Sequence, residues 1–159
     1  MKPKHTFFTI LLMLGLTISA TAKMDYKEYC NARFGFCVLH PVTFGIKPAP
    51  VNNDGREFYD GNGFYMTASA MYNVLENNLK EEMESQESAF DTVTYRAVKK
   101  NWFVLSGYTG KDILYIKTYI VNDTIYHLYL RYPRILKKEY NTMVSSIAGS
   151  FRPASDHKY

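Results

Sequence analysis

The sequence has few of the residues that build metal and catalytic sites, with two cysteines and four histidines among 159 residues. His5 and His157 lie near the two ends of the chain, which leaves two histidines, His40 and His127, inside the expected fold. Two histidines or two thiolates do not complete the ligand set of a structural zinc site. The G-x-S-x-G serine motif and the glycine motifs that bind phosphate are also lacking. We therefore expect no metal, no cofactor and no catalytic residues, and we interpret the chain as a protein that is not an enzyme.

The sequence also lacks an apolar run of about 20 residues, the length that a membrane-spanning helix needs. A shorter apolar segment, 7–18, follows the basic residues Lys2 and Lys4 and precedes the small residues at 20–22. This order is typical of a cleavable secretion signal. Residues 1–22 are therefore predicted to be a cleaved signal peptide, with the mature chain starting at Lys23. The prediction is an exported protein, periplasmic or secreted, without a membrane anchor.

Neither basic nor acidic residues are in large excess, because the formal net charge is +4 and two of the basic residues lie in the predicted signal. The remaining lysines and arginines are spread over several expected elements, whereas nucleic-acid binding requires basic residues on one face. No nucleic-acid partner is expected. The length fits one domain. We assign it to residues 23–153 and expect a flexible polar tail at 154–159.

The two cysteines, Cys30 and Cys37, are seven positions apart in a chain that is expected to be exported. Folding the segment about Arg33 and Phe34 places the cysteines opposite each other, and opposed residues of antiparallel strands are close enough for a disulfide. An oxidising compartment allows the bond to persist. A structural disulfide is the main interpretation, and buried free thiols are the alternative. Redox chemistry is disfavoured because the spacing is not C-x-x-C.

Short alternating segments bounded by turn residues predict an antiparallel meander of strands. Strands are predicted at 36–40, 56–59, 64–69, 94–106, 113–121 and 124–132. The segment 94–106 is expected to be split near Lys100. Residues 42–55, rich in proline, asparagine and glycine, are predicted to form a loop. Asn122 and Asp123 can adopt the positive φ angles of a two-residue hairpin turn.

Apolar residues at three- and four-residue steps predict two amphipathic helices. The first is predicted from Met71 to Phe90, with its glutamates on a solvated face, and the second from Leu136 to Phe151. Together with the strands they predict an α+β fold. Its antiparallel β-sheet is flanked by helices, with a β-hairpin at the N-terminus and a helix at the C-terminus.

Short sequences spread over nearly the whole mature chain form a recognisable set. They are NARFGF at 31–36, Pro41, NDGR at 53–56, NWFVLSG at 101–107, YP at 132–133 and SFR at 150–152. Together they resemble small exported bacterial proteins of the PsbP-like family. The resemblance implies an α/β/α sandwich, the fold of the photosystem extrinsic protein, the Ran-binding Mog proteins, and DcrB-like and effector-chaperone proteins. Most of these relatives bind other proteins. The cysteine pair and the acidic first helix depart from the family pattern.

Two functions from different classes stay open. The first is a non-enzymatic module that binds a protein partner of the cell envelope, as a toxin immunity or chaperone-like protein does, through a sheet face or the loop 42–55. The second is a small-ligand or ion-binding protein, or a weak hydrolase, with a pocket between sheet and helix. The candidate binding residues are Tyr126, His127, Tyr129, Arg131 and Asp60.

Overall fold

A computed structural model describes residues 24–154, which form ten strands and two α-helices in two antiparallel sheets. The predicted signal peptide lies outside these residues, as does the predicted tail after residue 154. The elements are β1 (Tyr26–Asn31), β2 (Phe36–Pro41), β3 (Gly45–Ile46), β4 (Gly55–Tyr59), β5 (Tyr65–Tyr72), α1 (Leu79–Glu87), β6 (Thr92–Val98), β7 (Trp102–Thr109), β8 (Asp112–Val121), β9 (Thr124–Pro133), α2 (Lys137–Ser150) and β10 (Arg152–Pro153). A single 3-10 turn, Arg134–Leu136, leads into α2.

The large sheet has seven strands in the order β3-β4-β5-β9-β8-β7-β6, and every neighbouring pair is antiparallel. The β8–β9 hairpin turns at Asn122 and Asp123, whose φ angles of 48° and 55° are both positive. This geometry matches the twist of the flanking strands, and asparagine and aspartate tolerate it better than other residues with a Cβ. The predicted meander and its tight turn are confirmed.

One face of the large sheet packs against α2 and a small sheet of order β1-β2-β10. The core between them is apolar and strongly aromatic: Phe36 and Phe151 are fully buried, as are Leu128 and Leu130 of β9. Ile147 of α2 is also fully buried there. The predicted α+β fold, with its N-terminal hairpin and C-terminal helix, is confirmed.

The other face of the large sheet is covered by α1. A second, smaller core lies here, in which Phe103, Leu105 and Ile116 are fully buried and Met83 of α1 packs against them. The helix has nine residues and therefore spans about 13 Å, less than the width of a seven-stranded sheet. Side chains of β4 and β5 on this face remain exposed as a result.

The segment 71–78 is not helical, so the prediction of a helix starting at Met71 is wrong. Met71 and Tyr72 instead end β5, and α1 begins after Asn78. The Asn78 side chain accepts the backbone N–H of Glu81, and the Glu81 carboxylate accepts the N–H of Asn78. This capping box holds Asn78 in an extended conformation, so the helix begins directly after Asn78.

Two further predictions concern strand boundaries, one of which agrees with the structure and one of which differs from it. The segment predicted at 94–106 is two strands, β6 and β7, joined by a turn at 99–101, which agrees with the split expected near Lys100. The loop predicted at 42–55 contains the two-residue strand β3, which pairs with the end of β4. Within β6 the register shifts between Val93 and Tyr95, forming a bulge at Thr94.

Candidate protein-binding surface

The N-terminal hairpin is closed by a disulfide between Cys30 and Cys37, which lie directly opposite each other in β1 and β2. Beside it, the Asn31 side chain donates to the carbonyl of Asn53 at 2.9 Å. The Arg33 guanidinium donates to the carbonyl of Asn52. The prediction of a structural disulfide is confirmed, and the hairpin that it closes holds one end of the loop before β4.

A buried polar cluster lies between α1 and the sheet. His127 Nδ1 accepts a hydrogen bond from Gln86 Nε2 at 3.1 Å, and the same amide donates to Glu82 at 2.7 Å. Thr118 Oγ1 donates to Gln86 Oε1 at 3.0 Å. The remaining ring nitrogen, His127 Nε2, lies 3.8 Å from the Glu82 carboxylate. These hydrogen bonds fit a neutral His127 imidazole that carries its proton on Nε2.

This cluster places a hydroxyl, an imidazole and a carboxylate in the order of a catalytic triad, with Thr118 Oγ1 3.2 Å from His127 Nδ1. Thr118 is fully buried, however, and its hydroxyl proton is engaged by Gln86. Burial lowers the pKa of His127 to about 4, against an opposing effect of Glu82, so the imidazole is a weak base at neutral pH. The arrangement therefore anchors α1 to the sheet.

Two other predicted residues follow His127 on the same face of β9. Tyr129 packs beside the smaller core, and burial raises its pKa to about 12. Arg131 is exposed, and its Nε lies 2.6 Å from the Asp112 carboxylate. These three residues share a face because strand side chains alternate.

Tyr126 and Asp60 lie on the opposite side of the sheet. The Tyr126 hydroxyl donates to the Phe34 carbonyl at 3.2 Å and so supports the turn of the N-terminal hairpin. Asp60 accepts the hydroxyl of Tyr140 from α2, together with the backbone N–H of Phe64. The structure therefore divides the five candidate residues between two faces, and a role in binding stays a prediction for each of them.

An exposed apolar segment follows the end of β5. Met71 and Tyr72 are 50% and 59% exposed, and Val74 and Leu75 are 79% and 78% exposed. We call these four side chains the 71–75 patch. Met71 and Tyr72 are neighbours in β5 and therefore point to opposite faces of the sheet, and Val74 and Leu75 follow beyond the end of the strand. Exposed apolar side chains clustered at one end of a strand are typical of sites that contact other proteins.

The backbone of this segment is held by hydrogen bonds around Asn73. Its N–H donates to the carbonyl of Asp123 at 2.8 Å, and its side chain both donates to the Asn77 carbonyl and accepts the Asn77 N–H. The N–H of Glu76 donates to the Asn73 carbonyl, and Glu76 has a φ of 54°, unusual for a residue with a Cβ. These hydrogen bonds therefore hold the backbone of the patch in place.

Tyr72 extends the patch towards the disulfide hairpin. Its ring contacts the Phe34 ring edge to face, with the centroids 5.3 Å apart. The Arg33 guanidinium lies over the Phe34 ring, 4.9 Å from its centroid. Sequence reasoning missed this surface because Tyr72 and Leu75 fit the spacing of the following helix. The signal for it is the sequence Asn78-x-x-Glu81, which marks a helix start three residues after Leu75.

Residues 24–154 contain no helix that is long and apolar enough to span a membrane. The chain matches no model of a known protein family, and a search of curated proteins finds no match either.

Several solved structures are nonetheless similar in fold. Cyanobacterial PsbP (CyanoP) of Synechocystis sp. PCC 6803 is 11% identical, with a TM-score of 0.61 and coverage of 88% of this chain and 98% of that one. The Ran-binding protein Mog1p of Saccharomyces cerevisiae is 9% identical, with a TM-score of 0.54 and coverage of 83% and 97%. The high coverage of both proteins means that the likeness extends over the whole domain. The chain therefore has the fold shared by PsbP and Mog1.

Proposed function

We propose that this chain is a non-enzymatic protein-binding module that works outside the cytoplasm. The observation that carries the proposal is the 71–75 patch, in which Val74 and Leu75 are more than three-quarters exposed. The contact of apolar side chains with water is unfavourable, and a partner that buries them removes this contact. Because the patch is held in place before binding, little conformational entropy is lost on association.

The similar structures support the same class of function. Mog1p is described as a Ran-binding protein, so this fold has served to bind a protein in another organism. In the buried cluster around His127 the hydroxyl and imidazole are used to attach α1, so the proposal assigns the cluster no catalytic role. A toxin immunity or chaperone-like protein is the specific form that we favour, because both capture another protein outside the cytoplasm.

Export is supported by the sequence 1–22 and by the disulfide, which persists in oxidising compartments. Fusing residues 1–22 to alkaline phosphatase tests this, since that enzyme is active only where its own disulfides form. We expect phosphatase activity from the fusion and its loss when the segment 7–18 is deleted. Activity that survives the deletion contradicts export by this signal.

Affinity capture tests the binding function. The tagged mature chain is incubated with the envelope and secreted fractions of the producing organism, and bound proteins are quantified by mass spectrometry. We expect a partner in stoichiometric amount that is lost with Val74→Ser/Leu75→Ser. These side chains are so exposed that the variant should fold normally. Repeated absence of any stoichiometric partner, with the chain folded, contradicts the proposal.

A second candidate function is small-ligand binding, which one groove favours. It lies between α2 and the large sheet, has a volume of about 330 Å³, and is lined by Tyr95, Trp102, Tyr115 and Gly149 among others. Aromatic walls of this kind suit a flat apolar or sugar ring. Trp102 is the one tryptophan of the chain. Its fluorescence therefore reports whether the groove is occupied. Titration with aromatic and glycan fragments tests this candidate, and Gly149→Leu, which fills the groove, is the control.

A further inference from the structure

The 71–75 patch is bordered by carboxylates. Val74 lines a shallow hollow of about 480 Å³ together with Glu76 and Asp123, both of which are exposed. Among the ion pairs of residues 24–154, none includes either of these two carboxylates. The hollow therefore combines an apolar side chain with two carboxylates that have no ion-pair partner among the described residues.

The backbone is held in tight turns at both acidic residues. Glu76 and Asp123 have φ angles of 54° and 55°, and the Asp123 carbonyl accepts the N–H of Asn73. The β8–β9 turn and the 71–75 patch are thus joined through the backbone. Residues with a Cβ rarely adopt such angles except in turns and at functional sites.

Lysine 80 is the basic residue nearest in sequence, and it does not neutralise this border. Its ammonium lies 3.6 Å from the Glu84 carboxylate, one turn further along α1. Glu81, between them, is a second carboxylate at the same end of the helix. Glu76 and Asp123 therefore border the patch at Val74, whereas Arg33 lies at its other end, over the Phe34 ring that contacts Tyr72.

We propose that the 71–75 patch binds a protein whose surface has an apolar socket bordered by lysine or arginine. This inference rests on the proposed function and adds the chemistry of the partner. Val74 and Leu75 fill the socket, and basic side chains at its border approach Glu76 and Asp123. Complementary charges of this kind accelerate association and exclude partners with an acidic border.

Photo-crosslinking tests the proposal on the full chain in the producing cells. A benzophenone amino acid replaces Leu75 in one variant and Ile135 in a matched control, since Ile135 is 89% exposed and lies in the 3-10 turn before α2 instead. We expect an adduct with a separate protein from position 75 and at most a trace from position 135. An adduct from position 135 alone overturns the assignment of the patch.

The charge requirement is tested in the same experiment by Glu76→Asn/Asp123→Asn. Asparagine removes both charges and suits positive φ, so the turns should be retained. We expect the yield of the adduct to fall about fivefold, in line with the loss of two exposed charge pairs. Glu139→Gln on α2 is the control and should leave the yield unchanged.

Several results overturn this proposal while leaving the proposed function intact. One is an adduct whose yield is unchanged by Glu76→Asn/Asp123→Asn. Another is an adduct of twice the mass of the chain, because that mass identifies a second copy as the occupant. An adduct with lipid overturns the proposal as well. If affinity capture with the unmodified chain also finds no partner, the proposed function fails with it.

Discussion

His127 Nε2 lies 3.8 Å from the carboxylate of Glu82, and both side chains are buried where α1 meets the sheet. Burial lowers the pKa of the imidazole in the folded protein to about 4, from an ordinary value of 6.5. Between these two values the unfolded chain binds a proton that the folded chain does not. Stability is therefore fully present above pH 6.5 and is lost as the pH falls towards 4.

We expect the free energy of unfolding to fall by about 3 kcal/mol between pH 7 and pH 4 through this one group. Urea unfolding at a series of pH values measures it. His127→Gln removes the titrating group and should flatten the curve over this range. Parallel curves for the two proteins would show that His127 does not cause the pH dependence.

The Cys30–Cys37 disulfide closes a short loop and should contribute modestly to stability. In the chain-entropy model we expect Cys30→Ala/Cys37→Ala to cost about 2 kcal/mol in urea unfolding. Reduction of the unmodified chain with dithiothreitol should cost the same amount and should have no further effect on the variant. A loss near zero would mean that the hydrogen bonds of Asn31 and Arg33 hold the hairpin without the bond.

Lys117 is expected to be important for the end of α2. Its buried ammonium donates to the carbonyl of Ala148 at 2.8 Å and lies 3.4 Å from that of Phe151. Lys117→Met removes these donors and should cost about 1–3 kcal/mol, because buried carbonyls lose their partner. Thermal unfolding measures the change. Lys138→Met, at an exposed position of the same helix, is the control and should be nearly neutral.

Glu76 should lower stability slightly because of its backbone conformation. Its φ of 54° is costly for a residue with a Cβ and is readily adopted by glycine. We expect Glu76→Gly to raise the free energy of unfolding by up to about 1 kcal/mol, while Glu76→Ala should bring no such gain. If both variants are equally stable, the conformation of Glu76 is not strained.

Much of the fold follows from local patterns in the sequence. The alternation of β8 and β9 and their Asn122–Asp123 turn predicted a hairpin with the observed register, and the seven-residue spacing placed Cys30 opposite Cys37. The start of α1 was mispredicted because Tyr72 and Leu75 happen to fit a helical period. The competing signal, the capping box at Asn78, is a local interaction that outweighed that periodicity.

The candidate site was less predictable. Strand alternation alone separates Tyr126 from His127 on opposite faces of β9, where Tyr126 belongs to the larger core and His127 to the buried polar cluster under α1. The partners of His127 were not predictable, because Gln86 and Thr118 lie far from it in the sequence or on a neighbouring strand. Such a cluster depends on how α1 is placed across the sheet, which no local pattern determines.

The pairing of β10 with β2 joins the two ends of the described chain, since Arg152 lies opposite Cys37 and Pro153 opposite Phe36. A chain that emerges from its N-terminus makes β2 early and β10 last. The small sheet cannot be completed until the chain has emerged as far as Pro153. The order of synthesis therefore postpones closure of the small sheet until both β2 and β10 are free to pair, and a chain that crosses a membrane pore in an extended form could close this sheet only on the far side.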